Sequence, residues 1–185
     1  YTDEQLRAKG EEIAKELTLR IRNQAIEVPV IFALYHTQPA QSFLPGNFIA
    51  VGKVKAGETQ ISEWEKLDEE YMIFPSNQLA DRYQEYQDAF ITLSDHAQDF
   101  FPNYVSLVGQ GRFVNRKLVE LTVEANTQFE SKTEVIQLTQ YLGEQLNEGF
   151  PQAVHLNLYI SSVNKPQALY VRPTQGEAYL HVYRN

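Results

Sequence analysis

Histidine side chains bind metal ions and transfer protons near neutral pH, and this chain has four of them: His36, His96, His155 and His181. Their spacing fits no metal-binding motif such as HExxH. His155 and His181 alternate with apolar residues in two late segments, which places both on the polar faces of predicted strands. If those strands are neighbours, the two imidazoles lie close together, with Tyr159 and Tyr179 beside them.

Such an aromatic surface suits a sugar or a peptide, so His155, Tyr159, Tyr179 and His181 are candidate ligand-binding residues. The alternative is an ordinary solvated sheet face, or a face covered by another part of a longer protein. We favour this alternative, because single exposed aromatic residues are common and only contiguous patches indicate binding.

A second candidate site is the loop over residues 37–47, which follows an apolar strand and carries Phe43 and Leu44 in its middle. Loops on rigid scaffolds often bind ligands, so these two side chains are also candidate ligand-binding residues. The equal alternative is that Phe43 and Leu44 fold back into the core.

Two carboxylates, Glu120 and Glu124, lie with Thr122 on one face of a predicted strand. Paired carboxylates of this type hydrolyse glycosidic bonds in other proteins. Nothing in the sequence raises the pKa of one above that of the other, and such pairs are common on solvated strands. We therefore predict no catalytic residue, no metal site and no cofactor, and we do not expect an enzyme.

The composition limits the partners. The chain has 185 residues and a formal net charge of -8, with a pI near 5.0. This charge opposes binding to nucleic acid, whose affinity depends on Lys and Arg contacts to phosphate, and adhesion to anionic lipid through a basic patch. Cysteine is absent, which excludes disulfides and thiolate chemistry.

The first half of the chain reads as one helix followed by strands. Thr2 and Gln5 predict a capping box, and an apolar stripe predicts a helix that ends near Ala25. The apolar run over residues 30–35 predicts a strand covered on both faces. A second strand is predicted over residues 48–54, and two short strands within residues 61–74. The helical stripe consists of Leu6, Ile13, Leu17 and Ile21, with Gly10 on it at a predicted close contact.

The second half repeats this order. Ser76 is predicted to cap a helix whose aromatic seam faces the core. Strands over residues 104–108 and 118–125 are predicted to form a hairpin that turns at Gly109-Gln110-Gly111. A second capping box, Ser131 to Glu134, begins a third helix. The two apolar seams consist of Leu79, Tyr83, Tyr86, Phe90, Leu93, Ala97 and Phe100, and of Val135, Leu138, Leu142 and Leu146.

Three final strands are predicted over residues 153–161, 168–172 and 178–183, with clean alternation of apolar and polar residues. Alternation of this kind is typical of antiparallel strands that have one face on the core and one in water. The sequence therefore predicts a single α+β domain over residues 1–185. Its three helices lie on one face of a mainly antiparallel sheet, in a repeated helix-strand-strand order, and helical crossovers allow some parallel pairs.

Five segments resemble one family, the CamS sex-pheromone precursor lipoproteins of Gram-positive bacteria. The similar strings are FLPGNFIAVGKV (43–54), EYMIFPS (70–76), LVGQGRF (107–113), TEVIQLTQYL (133–142) and VHLNLYISS (154–162). The resemblance implies an exported protein that is anchored by a lipidated N-terminal cysteine, and a peptide pheromone cut from the signal segment. Neither the cysteine nor that segment is in this sequence, so the chain resembles the C-terminal part of such a lipoprotein.

The expected function is that of an extracytoplasmic, non-catalytic domain with a binding or structural role and a cell-wall or protein partner. Its only expected membrane contact is the N-terminal lipid anchor, which this chain lacks. The alternative is an envelope enzyme that acts on peptidoglycan or another glycan. A cleft with two facing carboxylates would favour the enzyme, whereas a flat face with Glu120 and Glu124 far apart would exclude it.

Overall fold

The computed structural model describes residues 2–101, 105–128, 131–163 and 165–183. Over these residues the chain forms three helices and nine strands. The helices are α1 (Asp3–Arg22), α2 (Asn77–Phe100) and α3 (Lys132–Gly149). The strands are β1 (Val30–His36), β2 (Asn47–Val54), β3 (Glu63–Lys66), β4 (Glu69–Phe74), β5 (Val105–Val114), β6 (Lys117–Thr127), β7 (His155–Ser162), β8 (Lys165–Arg172) and β9 (Tyr179–Val182).

The α+β class is confirmed, with mostly antiparallel strands. Instead of one sheet, the described strands form a three-stranded sheet in the order β1-β2-β3 and a six-stranded sheet in the order β4-β5-β6-β7-β8-β9. The chain groups into two compact units: the first is Tyr1–Tyr71 with Val114–Arg116, and the second is Met72–Phe113 with Lys117–Asn185. The prediction of a single domain stays a prediction.

Helix α1 begins at the predicted capping box. The Gln5 N–H donates to Thr2 Oγ1 at 3.3 Å, and the Thr2 N–H donates to Gln5 Oε1 at 3.1 Å. Acidic residues occupy the first turn, and Arg20 and Arg22 occupy the last. Charges placed in this way interact favourably with the helix dipole. The helix ends at Arg22, three residues before the predicted end.

The predicted apolar stripe of α1 is not its buried face. Ile13 and Leu17 are 47% and 41% exposed, whereas Ala14 and Thr18 are buried. The expected close contact at Gly10 is confirmed, because a Cβ there would lie 2.7 Å from the Leu34 methyl carbons. Small residues thus let the helix approach β1 closely, and the larger apolar side chains beside them stay half exposed.

The prediction that β1 is covered on both faces is wrong. Its residues alternate between half-buried and exposed, and Ile31 is 69% exposed. Helix α1 contacts the side of the three-stranded sheet to which Leu34 belongs, so the opposite side of β1 faces solvent. On that side, the Tyr35 and Phe48 rings meet edge to face with centroids 5.0 Å apart. The two predicted short strands are present as β3 and β4.

Arg22 closes the loops of the first unit. Its guanidinium donates to the carbonyl oxygens of Ile26 at 2.6 Å and Val28 at 2.9 Å. It also donates to those of Lys55 at 2.9 Å and Glu58 at 2.8 Å. One side chain therefore ties the segment after α1 to the segment after β2, and it satisfies four carbonyls that no ladder uses.

The hairpin predicted at Gly109-Gln110-Gly111 turns elsewhere. Both glycines lie inside β5, and the turn is Asn115-Arg116, with φ values of 50° and 62°. Positive φ at both central residues is what a two-residue type I′ hairpin requires. A Cβ at Gly111 would lie 2.5 Å from the Phe74 ring, so this glycine makes room for an aromatic side chain. The predicted start of the preceding strand, at residue 104, lies outside the described residues.

The two predicted helical seams of the second unit are largely confirmed. Ser76 caps α2 by accepting from the Leu79 N–H, and the α2 seam is buried or half-buried except at Phe100, which is exposed. Non-helical angles at Tyr83 kink α2, and the Tyr83 ring stacks 4.2 Å from that of Phe113. All four predicted seam residues of α3 are buried. Ser131 precedes α3, but its side chain makes no capping hydrogen bond, so the second capping box is wrong.

The predicted alternation of buried and exposed residues is confirmed for β7 but is wrong for β9, where Tyr179, Leu180 and His181 are exposed and Val182 is half-buried. β7 pairs antiparallel with β8, and β8 with β9, whereas β6 and β7 are parallel across the α3 crossover. One face of this sheet joins α2 and α3 in the hydrophobic core. The residues that alternate with the core residues form the opposite face, which we call the open face: Glu120, Thr122, Glu124 and Asn126 of β6, His155, Asn157, Tyr159 and Ser161 of β7, Leu169 and Val171 of β8, and Tyr179 and His181 of β9.

Arg172 is the buried counterpart of Arg22 in the second unit. It is 3% exposed, and its guanidinium donates to the carbonyls of Phe150 at 3.2 Å, Pro151 at 2.6 Å and Val154 at 3.2 Å. It also contacts the Asn147 carbonyl and side chain at the end of α3, where a cation is favourable. Burial lowers the pKa of this guanidinium, an effect that Tyr170 opposes.

Candidate functional site

The strand register sorts the open face into rows of side chains that run across the sheet. Glu124, Tyr159, Leu169 and His181 form one row, and Thr122, Asn157, Val171 and Tyr179 form the next. Beyond the first row, Asn126 pairs with Ser161, and beyond the second, Glu120 pairs with His155. Directly opposed residues lie close enough for their side chains to interact.

One end of the open face is a closed polar network. Glu120 accepts from the Arg112 Nε at 3.3 Å and from the Asn157 amide at 3.2 Å. The same amide lies 3.4 Å from Thr122 Oγ1, and the Asn157 Oδ1 lies 3.2 Å from His155 Nε2. These groups satisfy one another, so this end is a set of fixed cross-strand contacts and offers few free hydrogen-bonding groups.

The other end of the open face contains a cleft of about 400 Å³. Ile160 and Ala168, both buried, belong to its lining. This volume lies within the ~300–1,000 Å³ range of small-molecule sites. The polar and aromatic side chains that line it, which we call the cleft residues, are Glu124, Asn126, Tyr159, Ser161 and Tyr183.

Hydrogen bonding fixes part of the cleft and leaves part of it available. The Ser161 hydroxyl donates to Asn126 Oδ1 at 2.7 Å, and within the described ranges the two N–H groups of the Asn126 amide have no acceptor. Glu124 is exposed and has no ion pair within the described part of the chain. A register shift between Ile160 and Ser161 interrupts the β7–β8 ladder here, and such bulges often re-aim side chains beside binding sites.

The predicted histidine pair is not brought together. β8 lies between β7 and β9, so the strands of His155 and His181 are not neighbours. The register also separates the two residues by four positions, or ~13 Å along the strands and ~10 Å across them. Tyr159 and His181 do share a row, and the His181 ring contacts that of Tyr183 with centroids 5.0 Å apart. Tyr179 lies in the next row, outside the cleft lining.

The loop candidates belong to the first unit. Phe43 is 92% exposed, so the alternative in which its ring folds into the core is wrong. Leu44 is half-buried, and the Ser42 hydroxyl donates to its carbonyl at 2.9 Å and accepts from its N–H at 3.1 Å. Ligand binding at Phe43 and Leu44 stays a prediction.

The two glutamates of the enzyme alternative do not face each other. Glu120 and Glu124 lie four residues apart on one strand, which corresponds to ~13 Å. Retaining glycosidases hold their carboxyl groups ~5–5.5 Å apart and inverting ones ~6.5–9.5 Å. Glu120 is also held by Arg112 and Asn157. This pair therefore lacks the geometry that the enzyme alternative requires.

The first unit contains a polar pocket that the sequence did not indicate, with a volume of about 200 Å³. Its charged lining is largely engaged within the unit. Arg7 pairs with Glu11 at 2.7 Å, Asp3 contacts His36 at 2.9 Å, and the Glu69 carboxylate accepts from the Phe48 N–H at 2.8 Å. These contacts indicate that the pocket residues hold α1, β2 and the start of β4 in place.

Two general searches of the described residues give negative results. No group of three or more His, Cys, Asp or Glu side chains in the described part of the chain has an arrangement that could hold a metal ion. None of the helices in the described ranges combines the length and the apolar character needed to cross a membrane.

Comparison with known proteins gives one family and several solved relatives. The profile described as CamS sex pheromone cAM373 precursor matches residues 1–178. The structure of the C-terminal domain of the sex pheromone staph-cAM373 precursor from Staphylococcus aureus is similar over all of this chain, with a TM-score of 0.88 and 27% identity. This chain covers 57% of that one. Among curated proteins, none matches.

Two further structures share the fold. A sex pheromone precursor from Lactobacillus salivarius subsp. salivarius UCC118 has a TM-score of 0.83 and 24% identity, over 96% of this chain and 53% of that one. Another staph-cAM373 precursor structure has a TM-score of 0.64 and 20% identity, over 99% of this chain and 66% of that one. This chain thus spans between about half and two thirds of the length of these solved relatives.

Proposed function

The chain belongs to the CamS family, and from this premise we propose that it is a non-catalytic binding domain of a sex-pheromone precursor lipoprotein. In this proposal a lipid anchor elsewhere in the precursor holds the domain at the outer face of the cell membrane. The pheromone peptide comes from another part of the precursor. The partner of the folded domain is a component of the cell wall or another envelope protein.

The observation that carries the binding role is the cleft at one end of the open face. Tyr159 is exposed there beside Glu124, and among the described residues the Glu124 carboxylate has no ion pair and the Asn126 amide donors have no acceptor. Exposed aromatic and polar groups that converge on a concave surface are the usual composition of a ligand site. A sheet face with a purely structural role would instead have the closed network found at Glu120.

The proposal is tested by co-sedimentation of the chain with purified cell walls of a Gram-positive bacterium. We expect saturable binding that soluble wall fragments compete away. Vesicles of phosphatidylglycerol are the matched negative control, because the net charge of -8 opposes binding to an anionic surface. Failure to sediment with walls at any concentration would contradict a wall-binding role.

The same assay separates binding from catalysis. The supernatant is examined by mass spectrometry for released sugars and peptides after a long incubation. A binding domain leaves the wall intact, and the ~13 Å spacing of Glu120 and Glu124 along β6 supports that result. Soluble fragments that increase with time would instead establish an enzyme.

A further inference from the structure

We propose that the cleft is a subsite for one uncharged sugar ring with adjacent free hydroxyl or amide groups. This inference rests on the proposed binding function and adds the class of ligand and the residues that hold it. The argument depends on the charge of the lining, on its aromatic surface and on the hydrogen-bonding groups that remain free.

The charge of the lining excludes anionic ligands. Glu124 is the one charged side chain among the described residues that line the cleft, and no Lys or Arg lines it there. A phosphate or a sulfate would meet a carboxylate with no opposing cation, and like charges at close range repel. The ligand is therefore neutral or weakly basic. Most sugar rings are neutral and meet this condition.

The aromatic surface fits the apolar side of a sugar. Tyr159 is 45% exposed, and Tyr183 lines the cleft from the segment after β9, where its N–H is held by the Gln167 carbonyl at 2.9 Å. The C–H face of a pyranose packs on an aromatic ring, while the phenol hydroxyl remains free to bond at the rim. A tyrosine thus serves both the apolar and the polar surface of a sugar.

The free hydrogen-bonding groups match two neighbouring hydroxyls. The Glu124 carboxylate can only accept, and the Asn126 amide can donate two N–H bonds because its oxygen is already used by Ser161. Glu124 and Asn126 are two positions apart on β6, so they project from one face ~7 Å apart at the backbone. One hydroxyl can donate to the carboxylate while its neighbour accepts from the amide.

The scaffold fixes the backbone of the β6 and β7 cleft residues before a ligand arrives. The cleft residues of β6 and β7 stand on paired strands whose opposite faces are buried at Ala125 and Ile160. The Ser161–Asn126 hydrogen bond links the two strands at the level of the cleft. Binding therefore has to order the exposed Glu124 and Tyr159 side chains, but not the backbone or the bonded Ser161 and Asn126 side chains.

The test is a titration of the ¹⁵N-labelled chain with the β-1,4-linked trisaccharide of N-acetylglucosamine, followed by amide chemical shifts. We expect saturable shifts that are confined to the β6 and β7 positions around Glu124 and Tyr159. The expected dissociation constant is on the order of 1 mM, as is usual for one small ring on an open surface.

Three variants locate the contact. Tyr159→Ala is expected to weaken binding at least about tenfold, because both stacking and shape are lost. Tyr159→Phe keeps the ring and is expected to stay within about threefold of the parent, since it loses at most one weak hydrogen bond. Tyr179→Ala is the matched control, because Tyr179 is exposed on the same open face but outside the cleft lining. This variant is expected to bind the trisaccharide with the affinity of the parent.

The outcomes separate this inference from the proposed function. Shifts elsewhere, or full affinity in Tyr159→Ala, would overturn the cleft assignment even if the chain still sediments with cell walls. Equal losses in Tyr159→Ala and Tyr179→Ala would do the same, because they indicate a diffuse aromatic surface. If the trisaccharide gives no shifts while walls still bind, the sugar class is wrong and the binding function stands. If neither the trisaccharide nor the walls bind, both the sugar subsite and the wall-binding role are wrong.

Discussion

Arg172 is a buried cation whose acceptors are backbone carbonyls and one amide side chain. Its replacement by Met would leave the buried carbonyls of Phe150 and Val154 without this donor, whereas the Pro151 carbonyl would keep the Val154 N–H at 3.0 Å. We expect Arg172→Met to lower the free energy of unfolding by about 2–6 kcal/mol, because each of two buried carbonyls left without its donor costs ~1–3 kcal/mol. Urea unfolding followed by circular dichroism measures this loss.

The matched control for Arg172 is Arg20→Met. Arg20 is an exposed residue of α1 whose single ion pair is with Glu16. Exposed pairs contribute ~0–1 kcal/mol, so this variant is expected to unfold close to the parent. Equal losses in the two variants would contradict the role assigned to Arg172.

Tyr86 makes the stability of the fold depend on pH in the alkaline range. Burial raises the pKa of its phenol above the ordinary value of 10.0, with Glu85 adding to the effect and a hydrogen bond with the Leu118 backbone opposing it. A raised pKa means that the folded state favours the neutral phenol. Its contribution to stability is complete below the ordinary pKa and is lost as the pH rises through the raised one.

Tyr86→Phe is therefore expected to change the slope of stability against pH. Near pH 8 it should be less stable by about 0.5–1.5 kcal/mol, because the hydrogen bond with Leu118 is lost. Above about pH 10 the difference should shrink as the pH rises through the raised pKa of Tyr86, because phenylalanine cannot ionise. Urea midpoints at four pH values measure this, with Tyr179→Phe at an exposed position as the control. A constant difference across that range would contradict the prediction.

At the scale of the elements, the packing of β5 against Phe74 depends on the two strand glycines. A Cβ at Gly111 would lie 2.5 Å from the Phe74 ring, and the same ring contacts those of Phe90 and Phe113. We expect Gly111→Ala to destabilise the chain by about 1–3 kcal/mol through overpacking. Thermal unfolding measures the loss.

Gly149→Ala is the control for that substitution. A Cβ there would meet nothing within 4 Å, and Gly149 is the last residue of α3. Its substitution is expected to be neutral within about 0.5 kcal/mol, as is usual for surface changes. If Gly111→Ala and Gly149→Ala unfold at the same temperature, the Phe74 ring moves aside without loss of stability, and the prediction is contradicted.

The elements that the sequence predicted well are those whose periodicity is strong and whose packing is complete. The seams of α2 and α3 and the alternation of β7 each place many apolar residues on one face, whereas the same alternation in β9, a strand at the end of the sheet, buries none of its residues. The buried face of α1 was predicted wrongly, because small residues form it: Ala14 and Thr18 are buried, and Gly10 lies against Leu34 of β1. A hydrophobic pattern gives small residues little weight, although they allow the closest approach between elements.

The hairpin and the cleft show two further limits. Gly109 and Gly111 have the composition of a turn, but their role is to admit Phe74 and Phe90, and only the tertiary contacts distinguish the two. Alternation did place Glu124 and Asn126 on the polar face. Their position beside Tyr159 and Ser161 depends on the parallel β6–β7 register across α3, which no local pattern specifies.

For the whole molecule, the two units differ in how much apolar surface they bury. The main core cluster consists of residues from Met72 onward, all in the second unit. The buried apolar residues identified in the first unit are Ala14, Ile49, Ala50 and Val54, and Ile31 and Tyr35 of β1 are exposed. Regions with few buried apolar contacts open at lower free energy than the core of the same protein.

Native-state hydrogen exchange is expected to show this difference. Paired amides of β1 and β2 should exchange through openings of lower free energy than those of β6 and β7, by at least about 2 kcal/mol. Exchange at several low urea concentrations, read by NMR, gives both values in one sample. Equal protection of the two strand pairs, with equal urea dependence, would show that the chain opens as one cooperative whole.

Arg22 has a consequence for how a fold of this kind is inherited. Its guanidinium binds the carbonyl oxygens of Ile26, Val28, Lys55 and Glu58, and every residue type carries that oxygen. The side chains at these four positions are therefore free to drift without loss of the clamp. Among these five residues, the clamp depends on the identity of the side chain at position 22 alone.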